Sequence, residues 1–345
     1  MPTLERGYAV LAGTIAVLMV VSFAFALLAL LLRFFNDRST RRQVQLTGSW
    51  EPMMLEVLAG TAPPSAVMER VEERDTDDFL TFLLGYARRL RGEERDTVRE
   101  LAAPYLPELA RRVDRGSAEE RGVAVQALAG MGMPDYADRV AQALDDESPV
   151  VAMIAARGLF RRGHERYFPR VIESLPTFAL WSRSFLASML ADGGTEAAKL
   201  LRQVLSNSDE SPLIRAIATD ALRGLNDLAS VEVALTLLED ETDRELVTGC
   251  LRLIRHLGHR GHVDEVMRFV TDSDPVIRAA AVGAVGEIGG DDDIPILQSV
   301  LGDDEYWVSL EAARGLMALG ERGTLKRLAA GEGPWSVLAR QVLAE

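Results

Sequence analysis

The stretch DSDPVIRAAAVGAVGEIGG, residues 272–290, decides the fold. Asp274 sits where an N-cap carboxylate accepts a free backbone N–H, and Pro275 follows at the first helical position, where its missing donor costs nothing. Small and aliphatic residues then run to Gly289, a residue type that commonly ends helices. Two other stretches repeat this pattern. ESPVVAMIAARGLFRRG ends on Gly163 and ESPLIRAIATDALRGLN ends on Asn226.

Anchoring on the position of Pro275 gives a register of Ala118, Pro149, Leu180, Pro212, Arg244, Pro275 and Tyr306, spaced by 31 or 32 residues. Independent columns agree with it. The residue before the anchor is Ser117, Ser148, Ala179, Ser211, Asp243, Asp274 or Glu305, mostly good N-caps. Six after it stand Ala124, Ala155, Leu186, Ala218, Cys250, Ala281 and Ala312, small enough for helices to approach closely. Ten after it, every residue from Leu128 to Leu316 is aliphatic. Fourteen after it come Gly132, Gly163, Gly194, Asn226, Gly258, Gly289 and Gly320, which tolerate a left-handed turn. A second amphipathic run follows, such as HVDEVMRFV, and then an acidic turn such as DDES. Each repeat is therefore a leading helix, a turn and a trailing helix. One such pair cannot cover its own apolar stripes, whereas a stack can.

The pattern D-x-x-P-x-[VI]-R-x-A-A…G resembles HEAT repeats of the short bacterial type, over residues 77–345. That resemblance implies an all-α fold, a right-handed α-solenoid of HEAT-like helix pairs. The solenoid at 77–345 then comprises a divergent first pair (79–113), seven repeats and a closing helix in GEGPWSVLARQVLAE. Before it, residues 34–76 read as a juxtamembrane linker with a short helix near Trp50 to Leu58. The order RR…W-x-P-x-x-L…L-x-G followed by LRGEERDTV is similar to that of bacterial membrane-anchored HEAT-repeat domain proteins. This likeness implies a membrane-enzyme partner such as a glycosyltransferase.

The run from Tyr8 to Leu32 carries no charge. Its 25 residues rise about 37 Å as a helix, enough for a hydrocarbon core of about 30 Å. It is too long for a signal-peptide apolar region and lacks a cleavage site. Residues 8–33 are thus a single transmembrane helix behind a short extracytoplasmic tail, 1–7. Arg33, Arg38, Arg41 and Arg42 follow it, against Arg6 before it. The positive-inside rule places the N-terminus outside and the solenoid in the cytoplasm.

Net charge is −14. From residue 207 onward there are 25 acidic and 13 basic side chains, against 26 and 24 over 33–206. Such a surface repels phosphate backbones, which argues against nucleic acid as a partner. A lone cysteine, Cys250, leaves no disulfide framework.

CLRLIRHLGHRGHVDEV holds His256, His259 and His262, residue types that ligate zinc or copper. The repeat register argues against that use. Cys250 falls in the small buried column, and the three histidines straddle a helix end and its loop, so no metal or cofactor is expected. The arginines three after the anchor, Arg121, Arg183, Arg215 and Arg278, read as a structural ladder, each paired with an acid in an adjacent inter-repeat turn. Trp181, Trp307 and Trp335 near helix starts read as packing residues. These features describe a non-enzymatic, membrane-tethered scaffold that binds a protein partner in a groove lined by the trailing helices. The alternative is a lyase-like or other small-ligand-binding HEAT protein.

Overall fold

A computed structural model describes residues 44–161, 164–178 and 180–345, which are helical with no strand among them. The membrane span at 8–33, Ala179 and Gly163 lie outside the described residues. Within them, no helix is long and apolar enough to cross a membrane. The chain divides into two compact bodies between Leu109 and Ala110. The boundary falls within the divergent first pair expected at 79–113, inside the helix Leu106–Arg115.

The first body is organised by aromatic packing. Residues 44–58 are helical and include the short helix expected near Trp50. It buries Trp50 at 1% exposure. The Trp50 ring meets Phe79 edge-on at 5.2 Å and Phe82 at 5.7 Å, and Phe79 meets Tyr105 at 5.9 Å. Phe79 and Phe82 belong to the helix Thr76–Arg89, which pairs with Gly92–Ala102.

The second body contains the seven repeats. Their leading helices are Ala118–Met131, Pro149–Arg161, Arg183–Ala191, Pro212–Gly224, Arg244–Leu257, Pro275–Ile288 and Tyr306–Ala318. The closing helix is Pro334–Ala344. The small and aliphatic columns are buried in every repeat. Ser117, Ser211, Asp243 and Asp274 each accept a backbone N–H from the first turn, as N-caps should.

Two expectations of register change. The third leading helix starts at Arg183, capped by Ser182, rather than at Leu180. Ser182 supplies a cap oxygen that the earlier position lacks, so the helix begins where a cap exists. Second, Gly132, Gly194, Asn226 and Gly320 adopt the left-handed conformation, but Gly258 (φ −73°) and Gly289 (φ −76°) do not. There the chain leaves the helix extended. Glycine is still required at both, because a Cβ would lie 2.5 Å from the Ile254 carbonyl oxygen at 258 and 2.4 Å from that of Val285 at 289.

The arginine ladder fixes neighbouring repeats at their acidic turns. Arg121 grips Asp146 through two hydrogen bonds of 2.7 and 2.8 Å. Arg278 does the same with Asp303, at 2.9 and 3.0 Å. Arg215 donates to Glu241 at 2.8 Å and to the Leu205 carbonyl at 3.0 Å. Arg183 departs from the pattern and pairs instead with Asp220 and Glu245. With the helix starting late, Arg183 stands at its first position rather than in its second turn.

The ladder carboxylates carry a pH signature. The hydrogen bond from Arg121 holds Asp146 below the usual carboxylate range. Burial pushes Asp303 and Glu241 upward, but Arg278 and the Glu305 N–H outweigh this for Asp303. For Glu241 the Asp243 and Thr242 N–H groups and Arg215 do so, leaving both acids lowered. Depressed folded-state values give stability that is present above the unfolded value and lost as pH falls through the folded one. The urea midpoint is expected to be flat near neutrality and to drop below about pH 4. Asp146→Asn should lower the midpoint at pH 7 and flatten its decline in acid, measured by circular dichroism.

Candidate binding surface on the leading helices

Successive leading helices touch along their lengths, whereas successive trailing helices meet far less. The cause is side-chain size. A Cβ added at Gly286 would lie 2.4 Å from the Gly315 Cα, and one at Gly158 would lie 2.4 Å from the Ala129 Cβ. The leading helices therefore present the more tightly packed surface of the second body.

Charged side chains run along this surface and bridge repeats. Arg157 approaches Asp192 at 3.7 Å. Arg183 reaches Asp220 at 2.9 Å, and Asp220 lies 3.6 Å from Arg223. Further on, Arg255 binds Glu311 at 2.7 Å, and Arg314 joins Glu311 at 3.5 Å to Glu345 at 2.8 Å. The Arg255–Glu311 pair crosses the intervening leading helix at Gly283, where a Cβ would lie 2.4 Å from Arg255 Nη1. Partly exposed pairs of this kind contribute only about 0–1 kcal/mol each. Their larger effect is on the charge the surface presents.

A cavity of about 870 Å³ opens at the C-terminal ends of the fourth, fifth and sixth leading helices. Its walls are Arg223, Arg252, Arg255, His256, His259 and Arg260, with Glu287, Gly258 and Ile288. The acidic half of the chain thus contains a strongly cationic recess. Arginines near helix C-termini favour the helix dipole, which accounts for Arg255 and His256. It does not account for Arg252, which is exposed one turn earlier and has no ion-pair or hydrogen-bond partner among the described residues. The Nε of Arg223 is shielded from solvent and donates to nothing.

The three histidines lie together but use their nitrogens within the fold. His259 Nδ1 accepts the Gly261 N–H at 3.0 Å, and His262 Nδ1 accepts the His259 N–H at 3.2 Å. Their rings are 3.8 Å apart at the centroids. His256 Nε2 shares a hydrogen bond with Asn226 Oδ1 at 3.1 Å. Among the described residues no group of three or more His, Cys, Asp or Glu side chains is arranged to hold a metal ion. Cys250 is fully buried, and burial pushes its thiol up to about 12. Of the tryptophans singled out by position, Trp181 packs edge-on against Phe178 at 5.8 Å. Trp307 is 48% exposed, so it is not the packing residue the sequence suggested.

The cavity was not legible in the sequence because its arginines come from two repeats at different columns, Arg223 from the fourth and Arg252, Arg255 and Arg260 from the fifth. The one available signal was their recurrence eleven and eight residues after the anchors, at Arg223, Arg255 and Arg252.

A family model of HEAT repeats matches residues 248–320, the stretch that includes most of the cavity wall. Residues 248–320 therefore carry HEAT repeats. No curated protein matches the sequence. Similar solved structures include the complex of CpcE and CpcF of phycocyanin lyase from Nostoc sp. PCC7120, at 16% identity and a TM-score of 0.33, covering 69% of this chain and 86% of that one. Human deoxyhypusine hydroxylase in complex with glycerol matches at 15% identity and a TM-score of 0.31, covering 72% of this chain and 98% of that one. The karyopherin Kap121p bound to the extreme C-terminus of the protein phosphatase Cdc14p matches at 13% identity and a TM-score of 0.41, covering 81% of this chain and 42% of that one.

Proposed function

We propose that this protein is a non-enzymatic scaffold that holds a protein partner along the surface of its leading helices. Residues 8–33 tether it to the cell membrane, with the N-terminus outside and the repeats in the cytoplasm. The observation that carries this reading is the charged, cross-linked face of the leading helices, which offers contacts over several repeats in succession. A solenoid surface of this kind binds by adding modest contacts along its length. Tethering at a membrane raises the partner's effective concentration, to the millimolar range for short flexible linkers. A partner on the same membrane, such as a glycosyltransferase, gains most from that arrangement.

The small-ligand alternative draws on the cavity, whose volume suits a ligand. Its walls do not favour an apolar chromophore, since Ile288 is the single aliphatic residue among those lining it. An extended polar chain fits such walls better.

Photo-crosslinking in cells tests the scaffold reading. A crosslinking residue at Val123, Arg157 or Glu287, all exposed on leading helices, is expected to give a discrete protein adduct. The same residue at Glu265 or Arg322, exposed on trailing helices, is expected to give none. Equal adducts from both layers, or none from either, would remove the reading. A reporter fused after Glu345 should be active in the cytoplasm, and activity only outside would reverse the topology.

A further inference from the structure

The cations of the cavity are unequally satisfied. Arg255 is held by Glu311 and Arg260 by Asp292, both at 2.7 Å. Arg223 has Asp220 only at 3.6 Å, and its buried Nε lacks an acceptor. Arg252 has no acceptor among the described residues. A guanidinium with free donors binds carboxylate or phosphate through paired hydrogen bonds. Two such groups in one recess therefore define a site for an anion.

We propose that this recess receives an acidic segment of the partner, whose carboxylates bind Arg252 and Arg223. This rests on the scaffold reading and names the chemistry of its partner. Carboxylates suit the site better than phosphate for two reasons. Glu287 stands in the wall, and the surrounding repeats carry the chain's acid excess. Both repel a dianion more than they repel singly charged groups. The opening also lies on the continuous leading-helix surface, so an extended chain can enter and leave it. The partner segment is therefore acidic, although the overall charge of these repeats would select a basic one. The local field at a recess is set by the nearest unpaired groups, while more distant exposed charges are screened over about 8–10 Å.

The full chain in detergent, titrated with a fluorescein-labelled peptide of alternating glutamate and glycine, tests this by fluorescence polarisation. The acidic peptide is expected to bind, and the same peptide with glutamine in place of glutamate is not. Arg252→Glu should weaken binding by about tenfold or more, the value of one charge-assisted contact. Its melting temperature should not change, because Arg252 makes no internal bond to lose. Glu287→Gln should tighten binding, and Arg322→Glu, on a trailing helix, should leave it unchanged. Equal binding of the glutamine peptide, no effect of Arg252→Glu, or an equal effect of Arg322→Glu would overturn the proposal. So would tripolyphosphate binding tightly in an Arg252-dependent way while the acidic peptide does not bind. Loss of the peptide with leading-helix crosslinks intact rejects the acidic segment and leaves the scaffold. Peptide binding without crosslinks does the reverse.

Discussion

Gly286→Val is expected to destabilise the second body by about 3 kcal/mol, at the upper end of the cost of overpacking a well-filled core. Gly286 lies in the helix Pro275–Ile288, and Gly315 lies in the next leading helix, Tyr306–Ala318. A Cβ at 286 would stand 2.4 Å from the Gly315 Cα and 3.4 Å from its nitrogen. These are backbone atoms, so no rotamer change can relieve the overlap, and the two helices must move apart. Valine in place of glycine should itself favour a helix by a few tenths of a kcal/mol, which makes a net loss harder to explain by local propensity. In a linear array, stability depends on the interface between neighbours, so the seventh repeat and closing helix should loosen first. Urea denaturation followed by circular dichroism should show an earlier, broader transition. Gly302→Ala serves as the control, since a Cβ there meets nothing within 4 Å. It should stay within about 0.5 kcal/mol of the parent.

Arg215→Ala is expected to cost about 3 kcal/mol, the lower end of the range for breaking a buried ion pair. Arg215 is only 6% exposed. Its Nε binds the Leu205 carbonyl at the end of the third trailing helix, and its Nη1 binds Glu241 in the turn before the fifth leading helix. One guanidinium thus joins the third and fourth repeats and the turn leading to the fifth, and its loss leaves a carbonyl and a carboxylate without their partner. Arg215→Lys should recover less than half of the loss. An ammonium is a point charge and does not reproduce the planar fork that serves two acceptors in different directions. Cys250 provides a local readout, because its buried thiol feels the charges of both Arg215 and Glu241. Labelling of Cys250 by a thiol reagent should be slow in the parent and faster in Arg215→Ala. An Arg215→Ala variant with unchanged midpoint and labelling rate would show that Arg215 is not a structural staple.

The two variants act on different parts of the same construction. Gly286 sets how near two leading helices come, while Arg215 sets how one repeat is registered on the next. The recess depends on both kinds of constraint. Its walls come from the ends of three successive leading helices, and Arg255, on the middle one, lies across the last, Pro275–Ile288, because position 283 has no side chain.

The repeat was written in the chain itself. Period, caps and the small and aliphatic columns are local or near-local properties, and each helix must satisfy its own backbone ends and bury its own stripe. The ladder of Arg121, Arg215 and Arg278 was legible for the same reason, since the acid of each lies 25 or 26 residues further on, in the next acidic turn. Arg183 and the turns at Gly258 and Gly289 were not, because a shifted cap and a crowded carbonyl depend on atoms placed by folding. The pairing of Gly286 with Gly315 and the gathering of Arg223 and Arg252 into one recess likewise depended on packing. Residues from separate repeats meet according to how closely the leading helices stack, and that spacing is set by contacts between helices rather than by the order of residues within any one of them.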